Sequence, residues 1–512
     1  MSKVNRREFA INMAAAGFAG LVNERAAAGQ SVASLRSAAT RTSGELFYRP
    51  DSGYVGDVIP FHDGNQFRIF HLHRFDGGGG TSWYQATTTD FVHFKNEGEM
   101  LVRGSSADQD LSVATGSVLK GLDGQYHAFY TGFNSITHKE GLPEQGVMHA
   151  ISQDLLKWKK LPEHTFYAPQ DRYERDDWRD PFVFWNAEAG EYWMLVAARL
   201  RQGPSRRRGC TALCTSKDLT SWQVHEPFWA PGLYFTHECP DLFRIGGWHY
   251  LVFSEFSETN QTRYRMRRGM RGQWITPEID TFDTRALYAA KTVSDGRNRY
   301  LLGWNPTRVG NKDDGAWQWG GNLVVHQLVQ AADGTLWPQM PGTISEHFSN
   351  SGKVNLTGAT GSTDLARGQV RLKGTESAPF ISAGMLPDRA VIECKATFAK
   401  GTRSCGLMLR TQEDCDSSYY VRLEPPSNRV VIDRWPRPGD QAYMAGMERP
   451  LTLTPSDPVH MRVIVDGSVA EVYINDRVAL STRLYELKRG SWGVFVQEGD
   501  ASFADLRVLE GS

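Results

Sequence analysis

Hydrophobic and polar positions along this chain fall into a repeating phrase: a short apolar run, a turn marked by glycine, and a second apolar run. The phrase first reads GYVGDVIPFHDGNQFRIFHL over Gly53–Leu72. It returns over Ala114–Gly132, Trp178–Ala198, Glu238–Glu255 and Ala286–Trp304. The turn glycines Gly64, Gly124, Gly190, Gly247 and Gly296 are separated by 60, 66, 57 and 49 residues. Apolar runs this short, joined by tight turns, predict antiparallel strands. A repeat of a few strands buries too little alone and predicts neighbours packed around an axis. A second phrase keeps the same register. Asp90, Asp154 and Asp218 are spaced by 64 residues, each followed four positions on by Phe94, Trp158 or Trp222. An Asp in such a place favours a tight turn through its side chain, so these aspartates are assigned no chemistry.

Around His347–Thr363 the phrase stops and the composition turns to Ser, Gly, Asn and Thr. Period-2 strands then resume, with Asp466-Gly467 expected as the hairpin turn between VHMRVIV and SVAEVYI. The expected fold class is all-β: a five-bladed β-propeller over residues 45–345, a linker over 346–363 and a C-terminal β-sandwich over 364–512. No long amphipathic helix is expected after residue 45. Residues 1–28 read as an export signal. Lys3, Arg6 and Arg7 make a basic start, Ala10–Val22 a modest apolar run, and Ala26-Ala27-Ala28 a cleavage site. Arg6-Arg7-Glu8-Phe9 resembles a twin-arginine signal. The apolar run is too short to span a bilayer, so the expected destination is periplasmic or extracellular, with no membrane attachment after signal removal. Residues 29–44 are expected to be a flexible segment.

Composition narrows the picture. A net charge of −1 and a pI near 6.9 give no electrostatic case for nucleic acid or an anionic membrane. The cysteines Cys210, Cys214, Cys239, Cys394, Cys405 and Cys415 form no C-x-x-C pair, and no His cluster completes a zinc site. No metal or organic cofactor is therefore expected. A bridge among the last three cysteines is open on spacing alone. The basic stretches Arg206–Arg208 and Arg263–Arg271 are expected in solvent-facing turns.

The chemistry is expected where the first strand of each repeat meets the axis. Aligned on the turn glycines, Asp57 lies seven residues before its glycine, Thr115 and Ser117 nine and seven, Asp180 ten, Glu238 nine, and Tyr288 and Lys291 eight and five. Three carboxylates from three repeats thus reach equivalent places, each among apolar or aromatic neighbours. Crowded, partly buried acids split their pKa values. Glycoside hydrolysis needs that split, with one carboxylate ionised to attack and another holding a proton for the leaving oxygen. Asp241 is read as structural.

Arg179-Asp180-Pro181 and Glu238-Cys239-Pro240-Asp241-Leu242-Phe243 resemble glycoside hydrolase family 32, the β-fructofuranosidases. The resemblance covers nearly all of the chain after the signal. It implies a retaining mechanism on sucrose or fructans such as levan or inulin. Asp57 would be the nucleophile, Glu238 the general acid/base, and Asp180 the group that binds sugar hydroxyls, with Arg179 holding the geometry. The chain departs from the family where Gly56 stands before Asp57 in place of Asn, where Leu72 stands in place of Gln, and where Thr115 stands in place of Ser. His73 and Trp83 are further candidates for sugar contact. The expected partner is an oligo- or polysaccharide. Rival readings are a fructosyltransferase, an arabinofuranosidase or xylosidase of a related propeller family, and a catalytically silent glycan-binding protein.

Overall fold

The structure is a computed structural model. It describes residues 42–43, 46–75, 79–138, 141–358, 362–366, 369–413, 417–437 and 447–511. The expected export signal, all but two residues of the segment 29–44, and Cys415 lie outside the described residues.

The described residues are nearly all β, with two short α-helices, Ser135–His138 and Gly342–His347. Each repeated phrase becomes a meander led by one strand: Tyr54–His62, Ser112–Lys120, Tyr173–Asn186, Glu238–Ile245 and Tyr288–Ser294. We call these the inner strands. The second, third and fourth meanders form sheets of four, four and three strands. The first and fifth share a nine-stranded sheet, joined where Val55 pairs with Gly321. The inner strands touch one another in cyclic order, first to second and on to the fifth, which meets the first.

The turn glycines do what their positions require. Gly64, Gly124, Gly190 and Gly296 have φ of 100°, 83°, 64° and 91°, a region that residues with a Cβ rarely adopt. In the fourth meander Gly246 and Gly247 make the turn between Ile245 and Trp248, and Gly246, at 54°, is the left-handed residue. Asp90, Asp154 and Asp218 each accept N–H bonds from the residues two and three further on. Their repeat is a turn motif, as the spacing suggested.

The C-terminal strands form an eight-stranded and a six-stranded sheet. Leu372, Ile392, Val463 and Val472 from one pack with Leu407, Val421, Trp492 and Val494 from the other in a single apolar cluster. The hairpin expected at Asp466-Gly467 is displaced by one residue. Asp466 pairs with Val469, so Gly467, at φ 56°, and Ser468 make the turn. Asp466 instead accepts the Leu46 N–H at 2.6 Å. Cys394 and Cys405 are free, buried thiols, so no bridge joins these two.

The eight-stranded sheet closes against the fourth and fifth meanders. Phe243, Tyr250, Val324 and Leu328 share a buried cluster with Val391, Ile464 and Tyr473. Arg483 crosses the joint and donates to Asn305 O at 2.7 Å and Asn322 Oδ1 at 2.8 Å. The basic stretch over 263–271 is not a solvent-facing turn. Gln261–Arg268 is a strand in which Arg265 and Arg267 are buried. Arg265 lies over Trp229 and Phe253, and Arg267 over Phe228 and Trp274. A planar guanidinium can be buried this way because its faces stack on rings.

Candidate active site

All five inner strands lose register at the same place. The irregularities fall between Val55 and Val58, Val113 and Gly116, Arg179 and Phe182, Glu238 and Asp241, and Tyr288 and Lys291. Such bulges bend a strand and re-aim its side chains. Asp180, Cys239 and Ala289, all within these bulges, take left-handed φ of 57°, 51° and 50°. The candidates Asp57, Thr115, Asp180, Glu238 and Tyr288 lie in the bulges or at their edges.

Asp57 is held by three donors: Thr115 Oγ1 to Oδ2 at 2.6 Å, and Trp304 Nε1 and Trp319 Nε1 to Oδ1 at 2.9 and 3.3 Å. Burial pushes its pKa up to about 6, the charge of Asp180 adds to the rise, and the three donors oppose it. Glu238 accepts from Tyr288 OH at 2.6 Å and from Arg179 Nη2 at 3.1 Å. Burial pushes it up to about 7; Arg179 and Tyr288 oppose the rise, while Asp180 and Asp57 add to it. Asp180 is buried and its Oδ2 accepts the Cys239 N–H at 2.9 Å. Its own N–H donates to Thr131 Oγ1 at 2.8 Å, and Thr131 in turn donates to Thr115 O at 3.1 Å. The second and third inner strands are thereby locked together beside Asp57.

Arg179 also donates to Asp177 at 2.8 Å and to Thr236 Oγ1 at 3.0 Å. Burial alone would lower its pKa, but the carboxylates of Glu238 and Asp177 more than reverse that, so it stays charged. Lys291 is buried and donates to Gly116 O at 2.7 Å, reaching from the fifth inner strand to the second. Burial lowers its pKa against the pull of Cys239, Asp241, Asp180 and Asp57. Asp241 accepts the Thr292 N–H, tying the fourth inner strand to the fifth.

The structure therefore brings together Asp57, Thr115, Arg179, Asp180, Glu238 and Tyr288, and leaves three sequence candidates outside. Ser117 is buried and its Oγ accepts the Val183 N–H at 2.9 Å, a strand-to-strand tie. Trp83 is wholly buried, donates to Ala114 O at 2.9 Å and packs on Phe70 and Tyr130. No face of it is open to a sugar. His73 is 2% exposed, with its ring against Tyr84 and Phe75. Burial lowers its pKa to about 4, so it is a neutral packing residue. Trp304 and Trp319 were not among the candidates. Trp304 ends the fifth phrase, and that placement was the available signal; Trp319 gave none.

Among the described residues, Asp283, His326 and Glu471 each bring one ligand atom within 4.8 Å of the others, a spacing that could hold a metal ion. They lie in the joint with the eight-stranded sheet, where most of their polar atoms are hydrogen-bonded within the protein and Glu471 Oε1 is buried without a partner. His326 is 2.9 Å from both Asp283 and Tyr473, and Ser481 Oγ is 2.6 Å from Asp283 and 2.5 Å from Glu471.

The chain is similar over 485 residues to a raffinose invertase of Escherichia coli, at 24% identity covering 89% of this chain and 92% of that protein. An extracellular exo-inulinase of Aspergillus niger is 26% identical over 237 residues, 40% of this chain and 41% of that one. Among solved structures, a sucrose-6-phosphate hydrolase from Lactobacillus gasseri matches with a TM-score of 0.69 and 17% identity, covering 91% of this chain and 93% of that one. The family model described as the glycosyl hydrolases family 32 N-terminal domain matches residues 50–337, and that for the family 32 C-terminal domain matches residues 346–510. Two adjacent models, in order and together spanning most of the sequence, make the chain a member of glycoside hydrolase family 32.

Proposed function

We propose that this protein hydrolyses β-fructofuranosidic bonds in sucrose or fructans with retention, through a fructosyl–enzyme ester. The observation that carries the reading is a pair of half-buried carboxyls in one cluster. Asp57, pushed up to about 6, receives three donors that favour its ionised form, while Glu238 is pushed further, to about 7, where it can hold a proton near neutrality. In the first step an Asp57 oxygen bonds to the anomeric carbon as the bond to the leaving oxygen breaks. The electron pair stays on that oxygen, which takes the proton of Glu238. In the second step Glu238, now a carboxylate, takes a proton from water. The water oxygen attacks the anomeric carbon and Asp57 leaves as carboxylate. Asp180 binds sugar hydroxyls, and Arg179 keeps Glu238 in place.

The reading extends to architecture. Residues 45–345 form a five-bladed propeller, 346–363 a linker and 364–512 a sandwich; the cyclic contacts among the inner strands support it. It also extends to export, supported by the basic start and apolar run before Ala28. No helix among the described residues is long and apolar enough to cross a membrane.

The test is product analysis with sucrose, levan, inulin and an aryl arabinofuranoside, comparing wild type with Asp57→Ala and Glu238→Ala. Fructose release that is lost in both variants is expected. Activity on the arabinoside alone transfers the assignment to the pentosidase reading. Inversion of the first-formed anomer, followed by proton NMR, would refute the ester.

A further inference from the structure

Gly56 precedes Asp57 on the first inner strand. A Cβ there would lie 2.3 Å from Trp319 Cη2, 2.5 Å from Trp319 Cζ2 and 3.1 Å from Leu72 Cβ. The indole of Trp319 fills the space that a side chain at position 56 would need. From that space it donates to Asp57 Oδ1, beside Trp304 on the same oxygen. The two indoles meet edge to face, with centroids 6.2 Å apart. Thr115 donates to the other oxygen, Oδ2.

An ionised carboxylate offers about four lone-pair sites, two on each oxygen. Two indole donors occupy Oδ1, whereas one hydroxyl occupies Oδ2. We infer that Trp319, seated in the gap left by Gly56, is a positioning residue that completes the donor set on Asp57 and leaves Oδ2 as the oxygen that bonds to the anomeric carbon. The inference rests on Asp57 being the nucleophile. An indole N–H donates and cannot accept, so both rings favour the carboxylate over the protonated acid. The other ionisable groups facing Asp57 are Asp180 on the third inner strand, Glu238 and Cys239 on the fourth, and Lys291 on the fifth. A substitution at Trp319 or Gly56 leaves all four in place.

The test is the pH dependence of kcat/KM for fructose release by the full chain. Trp319→Phe keeps an aromatic ring, smaller than the indole, and removes the N–H donor. The acidic limb, which follows ionisation of Asp57, is expected to move up by about 0.5–1 pH unit. Gly56→Ala should push the indole away and move the limb in the same direction. Combining the two should shift it no further than Trp319→Phe alone, because both remove one contact. Should Gly56→Ala fail to fold, Trp319→Phe decides alone. An acidic limb unmoved in Trp319→Phe, or shifts that add in the pair, overturns the inference. A wild type that releases no fructose from any fructoside refutes the proposed function instead.

Discussion

Tyr288→Phe removes one oxygen atom from the site and should move the basic limb of catalysis upward. The Tyr288 hydroxyl donates to Glu238 Oε2 at 2.6 Å, in the short range of charge-assisted hydrogen bonds. Such a bond favours the ionised form of Glu238, against a burial that already pushes the group up to about 7. Hydrogen bonds to charged groups contribute about 1.5–3 kcal/mol, equivalent to about 1–2 pKa units. In the variant, Glu238 should hold its proton to about pH 8–9. The assay is kcat/KM for sucrose between pH 4 and pH 10, where the descending limb follows loss of the proton that the leaving oxygen needs. Glu238→Gln, which has no proton to give the leaving oxygen, should lose sucrose hydrolysis across the whole range. The reasoning fails if the descending limb of Tyr288→Phe stays at its wild-type position or moves down. Either result would mean that the phenol does not act on the charge of Glu238, or that Glu238 is not the proton donor.

Glu238→Gln should also change how stability depends on pH. The folded pKa of about 7 lies above the ordinary 4.5, so the folded protein binds more protons between those values. Wild-type stability should fall as pH rises from about 4.5 and level off above about 7, a loss of at most ~3 kcal/mol. The melting temperature of Glu238→Gln relative to wild type should therefore be higher at pH 8 than at pH 4; an equal difference at both refutes this. Trp83→Ala should destabilise by about 3–5 kcal/mol, as for a large core residue, with KM of the folded fraction unchanged. A raised KM with unchanged denaturation midpoint would return Trp83 to the sugar site. Arg483→Met leaves the acceptors Asn305 O, Pro306 O and Asn322 Oδ1 without that donor in the joint. It should lower stability by about 1–3 kcal/mol in urea denaturation, the cost of leaving buried acceptors unsatisfied, and a loss below 1 kcal/mol would mean the joint does not depend on it.

Much of the fold was legible because its signals are local. Apolar alternation marks strands, and the left-handed turn after each inner strand falls on a glycine. The Asp466-Gly467 turn falls one residue later, at Gly467-Ser468, and of the pair Gly246-Gly247 it is Gly246 that takes the positive φ. A glycine pair or an Asp-Gly pair marks a turn's neighbourhood, while cross-strand pairing decides which residue takes the positive φ. Asp57, Asp180 and Glu238 stood out because every repeat must deliver the same position to the same place. His73, Trp83 and Ser117 misled because side-chain type says little about which face of a strand is covered.

By itself, the sequence determined the strand periodicity, the repeat and three acids standing seven to ten residues before the turn glycines. Each of these follows from chemistry within a few residues, repeated. Tertiary structure decided which groups surround those acids. Trp304 and Trp319 reach Asp57 across 247 and 262 residues of chain, near where the first inner strand meets Gly321 of the fifth meander. Bulges on all five inner strands re-aim the side chains that simple alternation would have sent elsewhere. Hydrogen-bond partners at such sequence separation exist only once distant strands meet, and no local pattern encodes which donor arrives.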